Sequence, residues 1–245
     1  MRTNPRRRCN RGTKGGRTIA FLDFVRGPLL AIALTIFVVG TLWRLAGVLR
    51  RPRMPDLSPA REGAPSKPVG ALRAIVRGMW PRREFGQAMW VRTLNGYLFH
   101  IGLALVVFGY APHIAFIGRL TLLHWTALPD AVMYLAAGVT IVSLLMALLW
   151  RLTDPVQRII SDAGDMITWT VTFLPLMTGM LVVAEPSAAV LARGPVLYPG
   201  PLALHLLSLE LLLIWFPFGK LMHALLFAFS RGATGIRFSH RGVRP

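Results

Sequence analysis

Several ionisable side chains lie within or at the ends of long apolar stretches: His100, His113, His205, Glu210, Lys220 and His223. Such groups are costly in lipid, so they mark ligand sites, proton paths or ion pairs. His205 and His223 carry the most information. They are 18 residues apart, five turns of a helix; on one continuous helix both project from the same face, about 27 Å apart along the axis. One imidazole then stands near each membrane surface. Neutral imidazole is a strong ligand for haem iron, and two b haems stacked across a bilayer need axial nitrogens at two levels.

His100, near the start of the second apolar block, and His223, near the end of the fifth, fall on one side of the membrane and are expected to meet there. At the other level His205 needs a partner, and the candidates are His113, just beyond Pro112, and His124 in the following loop. A lone histidine is more often a hydrogen-bonded structural residue, but three on two spans, two of them at bundle-spanning separation, favour a metal. Glu210 lies about 140° around the helix from His205, so it faces elsewhere, with a hydrogen bond to a neighbouring span expected ahead of a proton relay. Lys220 and Arg231 can snorkel to the surface and there meet haem propionates. Asp165 opens the fourth block, where a carboxylate caps a helix favourably.

Elements that cross a membrane have to carry these residues. The chain of 245 residues is 54% hydrophobic and 16% charged, too little polar surface to solvate a globule of that size. Its apolar residues gather in five blocks, at 28–49, 94–117, 129–150, 166–190 and 202–229, each near or beyond the ~20 residues that span a bilayer core. Stretches such as 141–150 are apolar on every face, and the short alternating segments of a membrane barrel do not occur. The expected fold class is all-α, an integral membrane bundle of five transmembrane helices. The chain then divides into a basic N-terminal tail (1–27), the first transmembrane helix (28–49), a linker with an amphipathic segment (50–93), a four-helix haem-binding core (94–230) and a basic tail (231–245).

A net charge of +18 would suit nucleic acid in a soluble protein, but here the basic residues sit in loops and tails, where they orient the spans. No nucleic-acid partner is expected. With five spans, the side that holds the N-tail carries ten Lys and Arg, eight of them in the tail, and the other side carries sixteen. The second side, with the linker and the C-terminus, is expected to be cytoplasmic and the membrane the cell's inner membrane; the basic N-tail pulls the other way. That tail and the apolar block after it imitate a secretory signal, but the block is too long and lacks a cleavage site, so it reads as a retained span. Cys9, the single cysteine, excludes an intrachain disulfide and a Cys-based metal cluster. The stretch 69–90, with Trp80, Phe85 and Trp90 among arginines, suits a surface helix at the headgroup boundary, either a lipid anchor or a docking platform. No internal repeat supports an inverted-repeat transporter.

The strings Phe99-His100-Ile101-Gly102, Asp154-Pro155, Gly164-Asp165 leading to Gly179, Leu204-His205, and above all Phe216-Pro217-Phe218-Gly219-Lys220-Leu221-Met222-His223 resemble the gamma subunit, cytochrome b, of respiratory nitrate reductase. Relatives of that subunit serve sulfur-metabolising and heterodisulfide-reductase-like complexes. The resemblance covers about 95–229. It implies a five-helix, dihaem, quinol-oxidising subunit with its N-terminus outside, His100 and His223 holding the haem nearer the cytoplasm and His205 giving one ligand to the outer haem. Where the family has Gly-His ten residues after the first histidine, this chain has Gly109-Tyr110, and Met133 stands where the nitrate reductase subunit has a lysine near its quinol site. Either His113 supplies the missing ligand, with Pro112 bending the helix to present it, or a single haem is bound; the first is preferred.

The expected function is that of a haem b membrane subunit of a respiratory oxidoreductase complex. It would move electrons between membrane quinone or quinol and a soluble iron–sulfur partner subunit, with one or two haems, two favoured. The chain has no substrate-reducing site of its own, so it is an electron-transfer subunit rather than a complete enzyme. The alternative is a haem-free transporter or assembly scaffold in which the histidines relay protons or bridge helices.

Overall fold

The computed structural model describes residues 16–52, 56–80, 86–183 and 196–243, the side chains of 86–88 excepted. Regular structure among them is helical. In chain order come α1 (Gly16–Leu49), α2 (Lys67–Arg77), α3 (Gly86–Gly109), α4 (Ala111–Thr121), α5 (Asp130–Thr153), the short α6 (Pro155–Ile160), α7 (Ala163–Met180), α8 (Pro199–Trp215) and α9 (His223–His240). Within α1, Val25–Leu29 is wound as a π-helix around Pro28; proline cannot donate to the carbonyl four residues back, and the wider turn absorbs the mismatch.

The chain is an all-helical membrane protein. Three helices are long and apolar enough to cross a bilayer, namely α1, α3 from Met89 onward, and α5; α8 and α9 make a fourth if the bent pair counts as one span. α7 is interrupted in character by Asp165, Thr168, Thr170, Thr172 and Thr178. The surface is that of a protein in lipid. Ile32, Val39, Leu42 and Trp43 on α1, Ile101 and Phe108 on α3, and Leu135, Val142 and Leu149 on α5 are exposed, whereas Thr140, Ser143, Thr172, Thr178, Ser208 and Glu210 are buried. A soluble protein would show the reverse.

α1 packs on α8, α8 on α7, α7 on α5 and α5 on α3, while α3 and α8 face each other across a cavity. Small residues let helices approach where lipid gives no hydrophobic drive. A Cβ on Gly102 of α3 would overlap Thr140 of α5, and Asn95 donates to the Ser143 carbonyl in the same seam at 3.0 Å. The cap of α7 falls on Asp162, not on Asp165 as expected. Asp162 accepts from the Asp165 N–H at 2.8 Å and Asp165 accepts from the Asp162 N–H at 3.1 Å, a reciprocal capping box.

The fifth apolar block is not one helix, which corrects the reading of His205 and His223 as five turns apart on one face of a continuous helix. The axes of α8 and α9 differ by 75°. Pro217 removes a donor, and the N–H groups of Phe218 and Gly219 both turn back to the Trp215 carbonyl, at 3.1 and 2.8 Å. Gly219 passes so close over Trp215 that a Cβ would overlap the indole nitrogen, and α1 admits Pro217 at Gly40, where a Cβ would sit 2.8 Å from the proline ring.

Beyond the bend α9 runs to His240, through much of the expected basic tail, and packs antiparallel on α2. A Cβ on Gly235 would overlap Ala74, one on Gly70 would lie 2.7 Å from Ser239 Oγ, and Gly78 faces Arg231. The surface helix expected over 69–90 is shorter than that: α2 stops at Arg77, Trp90 belongs to α3, and Phe85 lies outside the described residues, as does the basic tail from 1 to 15. Val69, Leu72 and Val76 form an exposed apolar stripe on α2, continued by Met79 and Trp80.

Candidate functional site: two histidine pairs

The cavity has a volume of about 1190 Å³, above the roughly 300–1,000 Å³ of an ordinary small-ligand pocket. Leu103, Val107, Leu144, Leu176, Leu209 and Leu212 give it apolar walls. Four imidazoles line it as two close pairs. His100 on α3 and His223 at the start of α9 have ring centroids 6.1 Å apart and ring planes at 88°. His113 on α4 and His205 on α8 are 6.3 Å apart with planes at 19°.

Every Nδ1 is engaged. His100 donates to the Gly96 carbonyl at 2.7 Å, His223 to the Lys220 carbonyl at 2.8 Å and His113 to the Val106 carbonyl at 2.8 Å. His205 Nδ1 lies 3.2 Å from Thr178 Oγ1, whose own hydroxyl donates to the Leu174 carbonyl at 2.7 Å. A carbonyl only accepts, so Nδ1 carries a proton in those three rings, and Thr178, its own hydrogen given to Leu174 O, accepts from His205 in the same way; Nε2 is then the atom left to bind, the arrangement that metal-ligating histidines use. A metal–imidazole bond is about 2 Å, and the ring centre lies roughly 1 Å behind the nitrogen, so two imidazoles on opposite sides of one metal have centroids roughly 6 Å apart. Both pairs have that separation.

The second pair owes its geometry to Pro112. α3 ends at Gly109, Tyr110 is extended at φ −83° and ψ 128°, and α4 begins with Pro112 in its first turn. The carbonyls that this break sets free are taken up again: Trp125 Nε1 donates to Phe108 O at 2.5 Å, Leu128 N to Gly109 O at 2.9 Å, and His113 to Val106 O. The turn brings His113, rather than Tyr110, opposite His205; the Tyr110 ring rests against His113, centroids 5.2 Å apart. His124, the other candidate partner, lies against Gly118 of α4. On α7, Gly179 leaves room for the His205 ring, since a Cβ there would be 3.2 Å from Cε1.

Glu210 lies on the stripe of α8 that packs on α1, between Ala203, which clusters with Leu22, and Pro217, which meets Gly40. It is 1% exposed and neither carboxyl oxygen has a hydrogen-bond partner. The bond to a neighbouring span expected from the sequence is not made. Lys220 is held by Asp162 at 3.0 Å and Asp165 at 2.7 Å, and Asp165 also takes Arg151 at 3.1 Å; Arg92 pairs with Asp154. The hydrogen bond from Lys220 holds Asp162 below the ordinary carboxylate range, and that from Arg92 does the same for Asp154.

A protein of Nitratidesulfovibrio vulgaris (strain Hildenborough) is 30% identical over 227 residues, a match that spans 88% of this chain and 92% of that protein. The chain belongs to this protein's family. No family model matches the chain. Among the described residues of this family member, no three His, Cys, Asp or Glu side chains gather as a metal centre. Sequence reading passes over Thr178, Ser208 and the carbonyls of Gly96, Val106 and Lys220. A carbonyl leaves no signal in residue type, and Thr178 is one hydroxyl among several on α7.

Proposed function

We propose that this protein is a haem b membrane subunit, similar to the gamma subunit of respiratory nitrate reductase, that carries electrons between quinol or quinone in the membrane and a soluble iron–sulfur partner. Two imidazole pairs in one apolar cavity, with ring centroids 6.1 and 6.3 Å apart and each Nδ1 tied, support this reading. The donor set fits porphyrin iron, for which imidazole is a strong ligand. His100 and His223 would hold one haem, His113 and His205 the other. When bound, haem b supplies one-electron chemistry, so the two electrons of a quinol pass singly.

The chain's own residues hold and orient. The three carbonyls and the Thr178 hydroxyl fix the plane and tautomer of each ring and strengthen Nε2 as a donor. Beyond the second pair the cavity is lined by Asp23, Arg26, Tyr110 and Tyr134, groups that can bond the hydroxyls of a quinol. Oxidation there yields quinone, two electrons and two protons, and the protons leave on that side. In this reading α1, α3, α5, α7 and α8 are five spans of the inner membrane. The basic surface of α2 and α9 faces the cytoplasm, where the iron–sulfur partner docks.

Purified protein is expected to show a b-type reduced-minus-oxidised spectrum with two haems per chain, falling to one in His113→Ala and to the other one in His223→Ala. Ring planes at 88° and 19° predict two low-spin ferric EPR signals. If the imidazole planes keep these angles on binding, the perpendicular pair would give a strongly anisotropic signal and the near-parallel pair a rhombic one. A protein without Soret absorbance, as a transporter or scaffold would be, refutes the proposal.

A further inference from the structure

A second pocket, of about 770 Å³, opens between the last turns of α1, the start of α7 and the α8–α9 bend. It shares only Lys220 and His223 with the main cavity. Trp215, Phe218, Leu226 and Phe227 give it an apolar wall, and Arg44 and Arg231 border it. Lys220 and Asp162 border it too but satisfy each other at 3.0 Å, so the charge left over is that of the two arginines. Among the described residues no carboxylate or hydrogen-bond acceptor engages either guanidinium; Arg231 only stands beside Gly78.

Arg44 stands where a cation is least expected. It is on α1, inside the apolar helix and a little over a turn from its end, with Leu42 and Trp43 exposed beside it and Leu49 exposed after it. A guanidinium so near the end of an apolar helix can reach the phosphate layer of a bilayer with its long side chain. α9, turned 75° from α8, overhangs the pocket and exposes Leu225, Phe227 and Phe229.

We propose that this pocket binds the phosphate of an anionic phospholipid, with Arg44 and Arg231 taking its oxygens from two sides and an acyl chain lying on Trp215, Phe218 and Phe227. The paired N–H groups of a guanidinium match phosphate oxygens, and basic pockets between membrane helices at this level are headgroup sites. The site stands independently of the haem reading. Free phosphate offers the same oxygens without chains, so the test must separate the two.

Full-length protein in detergent is titrated with phosphatidylglycerol, phosphatidylcholine and inorganic phosphate and read by native mass spectrometry, with a visible spectrum of each sample. Phosphatidylglycerol is expected to be retained about tenfold over phosphatidylcholine by the unaltered chain and to resist inorganic phosphate, while R44Q and R231Q each lower retention about tenfold and R44K restores part of it. Equal retention of the two lipids, displacement by inorganic phosphate, or retention unchanged in both glutamine variants overturns the proposal. Loss of haem absorbance in those variants with lipid retention intact also overturns it, since the arginines then serve porphyrin carboxylates.

Discussion

Thr178 is the one side chain that ties a paired imidazole through a hydroxyl; the other three rings use carbonyls that mutation cannot remove. Its hydroxyl also lies 2.8 Å from Ser208 Oγ, which donates to the His205 carbonyl at 2.7 Å. Thr178→Val keeps the shape and deletes the acceptor, so His205 loses its fixed tautomer. If the pairs hold haem as proposed, the expected result is a roughly 10- to 100-fold weaker affinity at the His113–His205 pair, measured by titrating haem into the apoprotein, with the other pair unchanged and Thr178→Ser close to the parent. At this scale the sequence is unevenly legible. His100 and His223 are brought together as their places near span ends suggest, even though the helix between His205 and His223 is broken. His113 and His124 could not be told apart by spacing, because the direction in which a proline turns a chain depends on which neighbours receive the freed carbonyls. Here Trp125 and Leu128 do.

Among the elements, the α8–α9 bend decides most. Gly219→Ala puts a methyl into Trp215, which must leave its 3.0 Å bond to Thr168 Oγ1 or force the bend open. A loss of about 1–3 kcal/mol is expected, as for other overpacked sites, seen as a lower melting temperature; under the proposed function, haem held by His100 and His223 would be lost first. Gly138→Ala on α5 is the control: nothing lies within 4 Å of the added Cβ, so it should stabilise slightly or do nothing. Apolar blocks in the sequence mark where helices form in lipid but not where an axis turns. Proline and glycine are tolerated inside membrane helices, which is why Pro217 and Gly219 read as interior residues. A better signal comes from the cations on their C-terminal side. Lys220, Arg231 and Arg237 fall close enough together to belong to a helix that is leaving the apolar layer.

Across the whole molecule, the segment after α1 is strapped to the far end of α9. Arg241 donates to Asp56 at 2.8 Å, the His240 ring to Ser58 O at 2.8 Å, and Arg61 N to His240 O at 3.0 Å. The Arg241 hydrogen bond, with help from Ser58, holds the Asp56 carboxyl far below the ordinary range. A carboxyl depressed in the folded state contributes stability that is complete above its unfolded value, about 3.9, and is lost as pH falls through the folded value. A spin label at position 60, in a Cys9→Ser background, should therefore keep one mobility from pH 8 to about 5 and loosen only below about 4. Loosening already between pH 8 and 6 would assign the strap to another group. The three or four candidate spans, against the five expected, and this strap differ in legibility for one physical reason. Hydropathy is summed over many residues, whereas the strap depends on a few donors and acceptors about 180 positions apart.

His223 is the first residue of α9, and α9 is fastened to α2 and the strap, while His205 stays with α8 and α7. The surface layer is thus a lever arm with one imidazole at its fulcrum. A displacement of α9 would therefore carry His223 with it and leave His205 in place on α8, so the two histidine couples are mechanically separate.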